Sequence, residues 1–239
     1  MIFLFISSVA CLIGPAPAGV PKSAQMSSGI SCRVFRMTSE SKILKYVEPE
    51  YPGNTRTIQG NTTVYLKADV DQQGRVKDVR FFWSDRSFGE AAASAVKQWL
   101  FEPIVVDGKP VESTHALEII FQGRRNKVVA TAWRYPDEFR VYETPFQNAM
   151  ADRSSKVLRK VDPIYPESAR WQNIEGTVAM EALFSEAGRV EALLFWKSIP
   201  ELDAAAIEAF SQWVYEPLIV NNTPSKFIAK FYIRFHKGR

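Results

Sequence analysis

The chain has 239 residues, of which 46% are hydrophobic and 23% are charged, with 14 prolines and 12 glycines. This composition is typical of a folded globular protein and excludes the collagen-like, disordered and disulfide-scaffold classes. The net charge of +4 is uneven, because basic segments at residues 1–46 and 123–160 alternate with acidic blocks at 47–122 and 161–236. Since the excess of basic charge lies outside the acidic blocks, the pattern does not favour a basic nucleic-acid-binding face on a folded domain.

The first predicted element is an apolar run at the N-terminus. Residues 2–13 are mostly apolar, a Gly-Pro pair ends the run, and Ala16-Pro17-Ala18 follows. The run is too short to span a bilayer, and the small residues after it are typical of a cleavage site. We therefore predict export through a signal peptide at residues 1–18, followed by a linker at 19–42. Two alternatives stay open: an uncleaved segment that anchors the chain, or a buried core element.

The two cysteines add little to this prediction. Cleavage after Ala18 would remove Cys11 and leave Cys32 as a free or partly buried thiol, with an intermolecular disulfide as the alternative. No Cys–His spacing typical of a zinc site is found, so we expect no metal.

The strongest signal in the sequence is an internal repeat with a constant offset of 114 residues and no gaps. Many matching positions hold Trp, Tyr, Gly or Pro, and so many coincidences without a gap make chance an unsatisfactory explanation. The clearest matches pair Tyr51-Pro52 with Tyr165-Pro166, Gly74-Arg75-Val76 with Gly188-Arg189-Val190, Gln98-Trp99 with Gln212-Trp213, and Glu102-Pro103 with Glu216-Pro217. The repeat predicts a first copy at residues 43–122 and a second at 157–239.

In the first copy, alternating apolar residues predict a strand over residues 64–70, followed by a turn and a second strand. An apolar stripe with helical spacing predicts a helix over residues 88–100. A last strand follows over residues 115–121, with His115 on its inward face.

Residues 123–156 connect the copies and contain aromatic residues among basic ones. This composition predicts a segment that packs on a neighbouring domain rather than a disordered linker. We expect a short strand around residues 139–142 and a helix over 146–153.

The second copy repeats the same order. Apolar residues alternate with Thr177, Glu181 and others over residues 177–184, which predicts a half-buried strand. A turn at Gly188, a second strand, a helix that begins near Asp203 and a last strand over residues 227–235 complete the unit.

These elements predict the α+β class, with each copy a β-β-α-β unit in which one helix packs on a three-stranded antiparallel sheet. A right-handed crossover places the last strand beside the first and antiparallel to it. The last strand is then an edge strand whose outer backbone groups are unpaired.

The motifs resemble the C-terminal domain of TonB and related energy transducers. The second copy has Tyr165-Pro166, Glu175-Gly176, Gly188-Arg189-Val190 and Trp213-Val214-Tyr215-Glu216-Pro217, and the first copy shares the pattern except at Asn61-Thr62, where Glu-Gly is expected. The resemblance covers about two thirds of the chain and implies a tandem pair of these domains.

The resemblance also implies a way of binding partners, in which an extended peptide is added beside the last strand. For this chain the resemblance implies a partner-binding edge in each copy. The residues of this edge are Phe227, Ile228, Lys230, Tyr232, Arg234 and Phe235 in the second copy and Thr114, Glu118 and Ile120 in the first. The alternative is that the linker, the other copy or a second subunit covers each edge. Outward charges such as Lys230 and Arg234 commonly protect an edge strand.

Catalytic chemistry is not indicated by the sequence. The chain has two histidines, and no Gly-x-Ser-x-Gly, Walker or dinucleotide-binding motif is present. We expect no enzyme activity, cofactor, small-molecule substrate or nucleic-acid partner. Two function classes remain: a periplasmic module that binds a peptide of an outer-membrane receptor or envelope protein, and a structural envelope protein whose edges self-associate, including as a homodimer.

Overall fold

The structure is a computed structural model, and it describes residues 32–37, 39–52, 60–123, 127–140 and 156–236, apart from the side chain of Trp83. The predicted signal peptide, Cys11 and the predicted helix over residues 146–153 lie outside the described residues. Within the described ranges, no helix has the length and apolar character that crossing a membrane requires.

The first copy and the segments on either side of it are built mainly from strands. In chain order the elements are β1 (Arg33–Arg36), β2 (Ile43–Lys45), β3 (Asn61–Val70), β4 (Val76–Trp83), α1 (Arg86–Val96), β5 (Leu100–Phe101), β6 (Ile104–Val106), β7 (Lys109–Val111), β8 (Ser113–Gln122), β9 (Lys127–Arg134) and α2 (Asp137–Arg140).

The second copy follows a parallel plan. Its elements are β10 (Val157–Arg159), α3 (Glu167–Trp171), β11 (Gly176–Phe184), β12 (Val190–Lys197), α4 (Pro200–Phe210), β13 (Val214–Tyr215), β14 (Leu218–Val220), β15 (Thr223–Ser225) and β16 (Phe227–Phe235).

The long strands form two four-stranded sheets, with strand orders β4-β3-β8-β9 and β1-β12-β11-β16. All neighbours are antiparallel except β1 and β12, which are parallel. The predicted α+β class is confirmed, but the prediction of three strands in each sheet is wrong. A fourth strand from outside the repeat joins each sheet, because an edge strand offers unpaired backbone groups to a neighbouring segment.

The additional strand β9 overturns the predicted open edge of the first copy. Glu118 on β8 lies opposite Tyr65 on β3 and also opposite Thr131 on β9. Thr114 and Ile120, the other two predicted residues, belong to the same strand. Because β8 is paired on both sides, its main chain offers no open edge, and the prediction of an edge strand at Thr114, Glu118 and Ile120 is wrong.

The linker prediction also changes. Residues 139 and 140 of the predicted strand over 139–142 belong to the short helix α2, and residues 141 and 142 lie outside the described residues. A strand lies earlier in the linker, at Lys127–Arg134. Val128, Ala130 and Ala132 alternate along β9 and pack against the core under α1. The described part of the linker therefore packs, as its aromatic residues indicate, with Phe139 fully buried.

The long helix of each copy, α1 or α4, lies on one face of the sheet of that copy. Phe88, Ala92 and Val96 of α1 pack on the first sheet, and Leu202, Ala206 and Phe210 of α4 pack on the second. The side chain of Asp85 accepts a hydrogen bond from the backbone N–H of Ser87 and caps the N-terminus of α1.

The opposite faces of the two sheets pack on each other. We call this contact the inter-sheet core; its buried members are Tyr65, Phe82, Ala116, Tyr135, Phe139, Ala179, Leu183, Ala192, Leu194, Trp196 and Ile228. The sequence predicts a half-buried strand for β11. The contact between the sheets instead buries both of its faces from Val178 to Phe184. The layers run from α1 through the two sheets to α4.

Candidate functional site

The last strand of the second copy, β16, lies at the edge of its sheet. It is paired with β11 along its whole length, from Phe227 opposite Phe184 to Phe235 opposite Gly176. No further strand is hydrogen-bonded to its other side within the described parts of the chain. In an antiparallel strand, alternate residues direct their N–H and C=O groups to opposite sides, so part of the β16 main chain is directed away from β11.

The side chains of β16 alternate between the two faces of the sheet. Phe227 and Phe235 are buried in the core under α4, and Ala229, Phe231 and Ile233 are partly buried against it. Ile228 belongs to the inter-sheet core.

Lys230 and Tyr232 extend from β16 to the first copy. The Lys230 Nζ donates to the backbone oxygen of Phe81 at 3.0 Å, and the Tyr232 hydroxyl donates to the backbone oxygen of Phe82 at 2.7 Å. The Lys230 Nζ also lies 5.1 Å from the centroid of the Phe82 ring. Burial, with a smaller contribution from Glu181, raises the pKa of Tyr232 to about 12, so its hydroxyl stays protonated and able to donate.

These contacts assign a different role to two of the predicted residues. Lys230 and Tyr232 connect β16 to β4, which is itself an edge strand of the first sheet, and Arg234 remains exposed. The sequence, considered one copy at a time, could not show this contact, because it joins residues about 150 positions apart.

The outer sides of β12 and β9 are covered by backbone from the segment before the first copy. Strand β1 lies beside β12, and Arg36 on β1 forms an ion pair at 3.1 Å with the buried carboxylate of Asp203 at the start of α4. Beyond β9, the N–H of Ser41 donates to the Ala132 oxygen at 2.8 Å, and the N–H of Arg134 donates to the Ser39 oxygen at 2.9 Å. The segment before the first copy therefore contacts both sheets.

The repeated motifs hold the fold together. In each copy the glycine of Gly-Arg-Val has a positive φ, +84° at Gly74 and +71° at Gly188. The backbone oxygen of this glycine accepts a hydrogen bond from the backbone N–H of an aromatic residue two positions after the motif tryptophan. The N–O distance is 2.8 Å between Phe101 and Gly74 and 2.9 Å between Tyr215 and Gly188. A Cβ on Gly188 would collide with the backbone oxygen of Tyr215, which explains the requirement for glycine.

The motif tryptophans anchor the opening segments. The indole N–H of Trp99 donates to the Val47 oxygen at 2.7 Å, and that of Trp213 donates to the Val161 oxygen at the same distance. Glu102 of the Glu-Pro motif forms an ion pair with Lys42 at 3.0 Å.

His115 is buried on the inward face of β8, as the strand pattern predicts. Its ring stacks on Phe101 at 4.4 Å, and its nitrogens contact the hydroxyls of Ser113 at 2.9 Å and Ser41 at 2.7 Å. Burial, with a smaller contribution from Arg134, lowers the pKa of His115 to about 4. The neutral ring therefore connects β8 to the segment that precedes the first copy.

A cavity of about 640 Å³ lies beside α1, with Glu48, Tyr51, Glu90 and Gln98 among its lining residues. Among the residues that the structure describes, no group of three or more His, Cys, Asp or Glu side chains is arranged to hold a metal ion.

The family of the chain follows from its two repeats. Residues 47–122 and 161–236 each match the family described as Gram-negative bacterial TonB protein C-terminal. Together these spans cover more than half of the chain, which therefore belongs to this family and contains its domain twice.

A curated relative supports the same assignment. The protein TonB of Vibrio cholerae serotype O1 (strain ATCC 39315 / El Tor Inaba N16961) is 34% identical over 91 residues, which cover 37% of this chain and 37% of that protein. The chain thus matches a little over a third of the relative's length.

Proposed function

We propose that this chain is a non-enzymatic periplasmic protein-binding module whose strand β16 receives an extended peptide by strand addition. The partner is a periplasm-facing peptide of an outer-membrane receptor or another envelope protein, and the process it serves is TonB-dependent transport across the outer membrane. The observation that carries the proposal is the position of β16, a nine-residue strand at the sheet edge whose counterpart β8 is covered by β9.

Strand addition is favoured by an edge that is held in place before the peptide arrives. The contacts of Lys230 and Tyr232 with β4 fix one face of β16, and the apolar side chains under α4 fix the other. A rigid edge loses little conformational entropy on binding, which favours affinity from main-chain hydrogen bonds.

The family assignment supports the mode of binding. The resemblance to TonB C-terminal domains implies peptide addition beside the last strand, and the second copy keeps Glu175-Gly176, which the first replaces by Asn61-Thr62. The periplasmic location rests on the family and on the proposed signal peptide at residues 1–18. In the proposed arrangement the second copy binds the partner, and the first copy supports β16 through β4.

The proposal is tested by amide hydrogen exchange on the full chain. The probes are synthetic peptides that tile the periplasm-facing segments of the outer-membrane receptors of its host. We expect at least one peptide to slow exchange across residues 227–235, with little change in α4. Slowed exchange confined to other strands, or no response to any receptor peptide, would contradict the proposal.

Proline substitutions separate the edge from the fold. Ile233→Pro and Arg234→Pro each delete one N–H, and because consecutive residues face opposite sides, one variant removes a bond to β11 and the other removes a donor for the peptide. We expect the variant that removes a donor for the peptide to keep the circular dichroism of the native fold and to lose peptide binding. Arg234→Ala is the matched control, because it keeps the backbone donor. Self-association through β16 without a receptor peptide would favour the structural alternative.

A further inference from the structure

The centre of the inter-sheet core contains a buried ion pair between the two copies. The Lys67 Nζ on β3 lies 2.6 Å from the Glu181 Oε1 on β11, and the two residues are 3% and 0% exposed. They are 114 positions apart, which is the offset of the repeat. Lysine and glutamate therefore occupy the same position of the domain in its two copies.

A second pair of equivalent residues meets in the same core. The rings of Phe82 and Trp196, again one repeat apart, stack with centroids 4.2 Å apart and planes 11° from parallel. Both residues lie at equivalent β-bulges, where β4 and β12 shift register against β3 and β11. A bulge redirects a side chain, and here it turns both rings into the inter-sheet core.

Contacts between equivalent residues are characteristic of a twofold arrangement, in which the same surface patch is used by both partners. The two copies thus pack as a pseudo-symmetric dimer within one chain, and Lys67 and Glu181 lie near its local axis. If two first copies packed in this way, lysine would face lysine; if two second copies did, glutamate would face glutamate.

Like charges at this position would be costly, because the surroundings are apolar and an unpaired buried charge is strongly unfavourable. The existing pair is well satisfied instead. Glu181 also accepts from the Tyr135 hydroxyl at 2.5 Å and from the Trp196 indole N–H at 3.2 Å, and the Lys67 Nζ donates to Tyr135 at 2.7 Å.

The shapes of the two faces differ at a second position. Tyr65, whose ring lies edge-on to Trp196 at 6.2 Å, is replaced by Ala179 at the equivalent position of the second copy. A large residue opposite a small one fills the contact, whereas pairing like copies would crowd one interface and leave a void in the other.

We propose that Lys67 and Glu181 make this surface heterotypic, so that the sheet face opposite the helix in each copy accepts the other copy and rejects a copy of its own kind. The charges at positions 67 and 181 and the side-chain sizes at positions 65 and 179 therefore determine which copy can pack on this face. In the wild-type chain that partner is supplied by the same chain.

Charge reversal in the full chain tests the proposal. Lys67→Glu places two glutamates at the centre and Glu181→Lys places two lysines, so we expect each purified variant to show a thermal midpoint several degrees below wild type. When the two variants are co-refolded from urea, the first copy of each chain can pack on the second copy of the other, which restores one lysine and one glutamate at both centres. Light scattering after size exclusion should then show a species of twice the chain mass that neither variant forms alone, and which is therefore 1:1, with a midpoint above that of either variant.

The exposed pair Lys77–Glu112, at 2.8 Å and more than half exposed on both sides, provides the matched control. Lys77→Glu and Glu112→Lys should leave the midpoint near wild type and form no mixed species. A co-refolded mixture of the Lys67 and Glu181 variants without the 1:1 species would overturn the proposal, whether the separate variants are folded or unfolded. Midpoints equal to wild type in both separate variants would overturn it as well.

Discussion

Lys230 and Tyr232 show how single side chains can position a binding edge. Each donates a hydrogen bond to a backbone oxygen of β4, at Phe81 and Phe82. A hydrogen bond of this kind contributes about 1 kcal/mol net, and the two together hold β16 against the edge of the first sheet. The same side chains partly cover β4, whose oxygens would otherwise be available to another strand.

His115 makes the stability of the fold depend on pH. Its pKa is lowered to about 4 in the folded protein from an ordinary value of 6.5, so the unfolded chain takes up the proton first as the pH falls. The stabilisation is complete above pH 6.5 and is lost as the pH falls towards 4, by up to roughly 3 kcal/mol. Urea unfolding at several pH values should show a steeper loss of stability for wild type than for His115→Gln. Parallel curves for the two proteins would show that His115 does not titrate in this way.

At the scale of the element, Trp213 connects the end of α4 to the rest of the second copy. Its ring stacks on Phe210 at 4.4 Å and meets Phe231 of β16 edge-on at 5.3 Å. Its indole N–H donates to the Val161 oxygen at 2.7 Å. This side chain therefore joins the helix, the opening segment and the candidate edge.

We expect Trp213→Ala to lower the free energy of unfolding by about 3–5 kcal/mol, because it opens a cavity and removes the partner of the Val161 oxygen. Trp171, which is 80% exposed on α3 of the same copy, is the matched control, and Trp171→Ala should change stability by less than about 0.5 kcal/mol. Denaturant titration of both variants decides between this account and one in which both tryptophans contribute equally.

The elements inside the repeat could be predicted from the sequence, because their signals are local. The apolar alternation of β3 and β11 and the stripe of α4 are visible within ten or so residues. Strands β1 and β9 could not be predicted, since they lie outside the repeat and pair with edges that form only in the folded chain. The burial of Lys67 and Glu181 could not be predicted either. A charged residue on an alternating strand indicates a solvent-facing side, and only the contact between the copies buries these two.

Only half of the candidate site could be predicted. The family pattern pointed to the last strand of both copies, and β16 lies at an edge while β8 does not. The difference arises from chain order, because β9 follows β8 closely along the chain and reaches its open side through a short connection. No comparable strand pairs with the outer side of β16 among the described residues.

At the scale of the whole molecule, the segment before the first copy joins the two sheets. Strand β1 belongs to the second sheet, whereas Ser39 and Ser41 bind β9 of the first. Phe35 packs edge-on against Phe139 at 5.6 Å, and Arg33 forms an ion pair with Glu138. Cleavage at the proposed site after Ala18 would leave this segment intact.

Removal of β1 should therefore weaken the second sheet and expose the edge of β12. We compare a chain that begins at residue 32 with one that begins at residue 38, which lacks β1 and the Arg36–Asp203 ion pair but keeps Ser39 and Ser41. The shorter chain should lose several degrees in thermal midpoint, since each kcal/mol corresponds to about 2–4 °C in a protein of this size. Its amide exchange should rise over residues 192–195, which face β1 in the intact sheet, and it should associate more readily through the uncovered strand.

Arg36→Ala in the longer chain is the control that removes the ion pair and keeps the strand, so it should reproduce only the smaller part of the loss in thermal midpoint. Unchanged exchange over residues 192–195 in the shorter chain would mean that β1 does not protect this edge in solution.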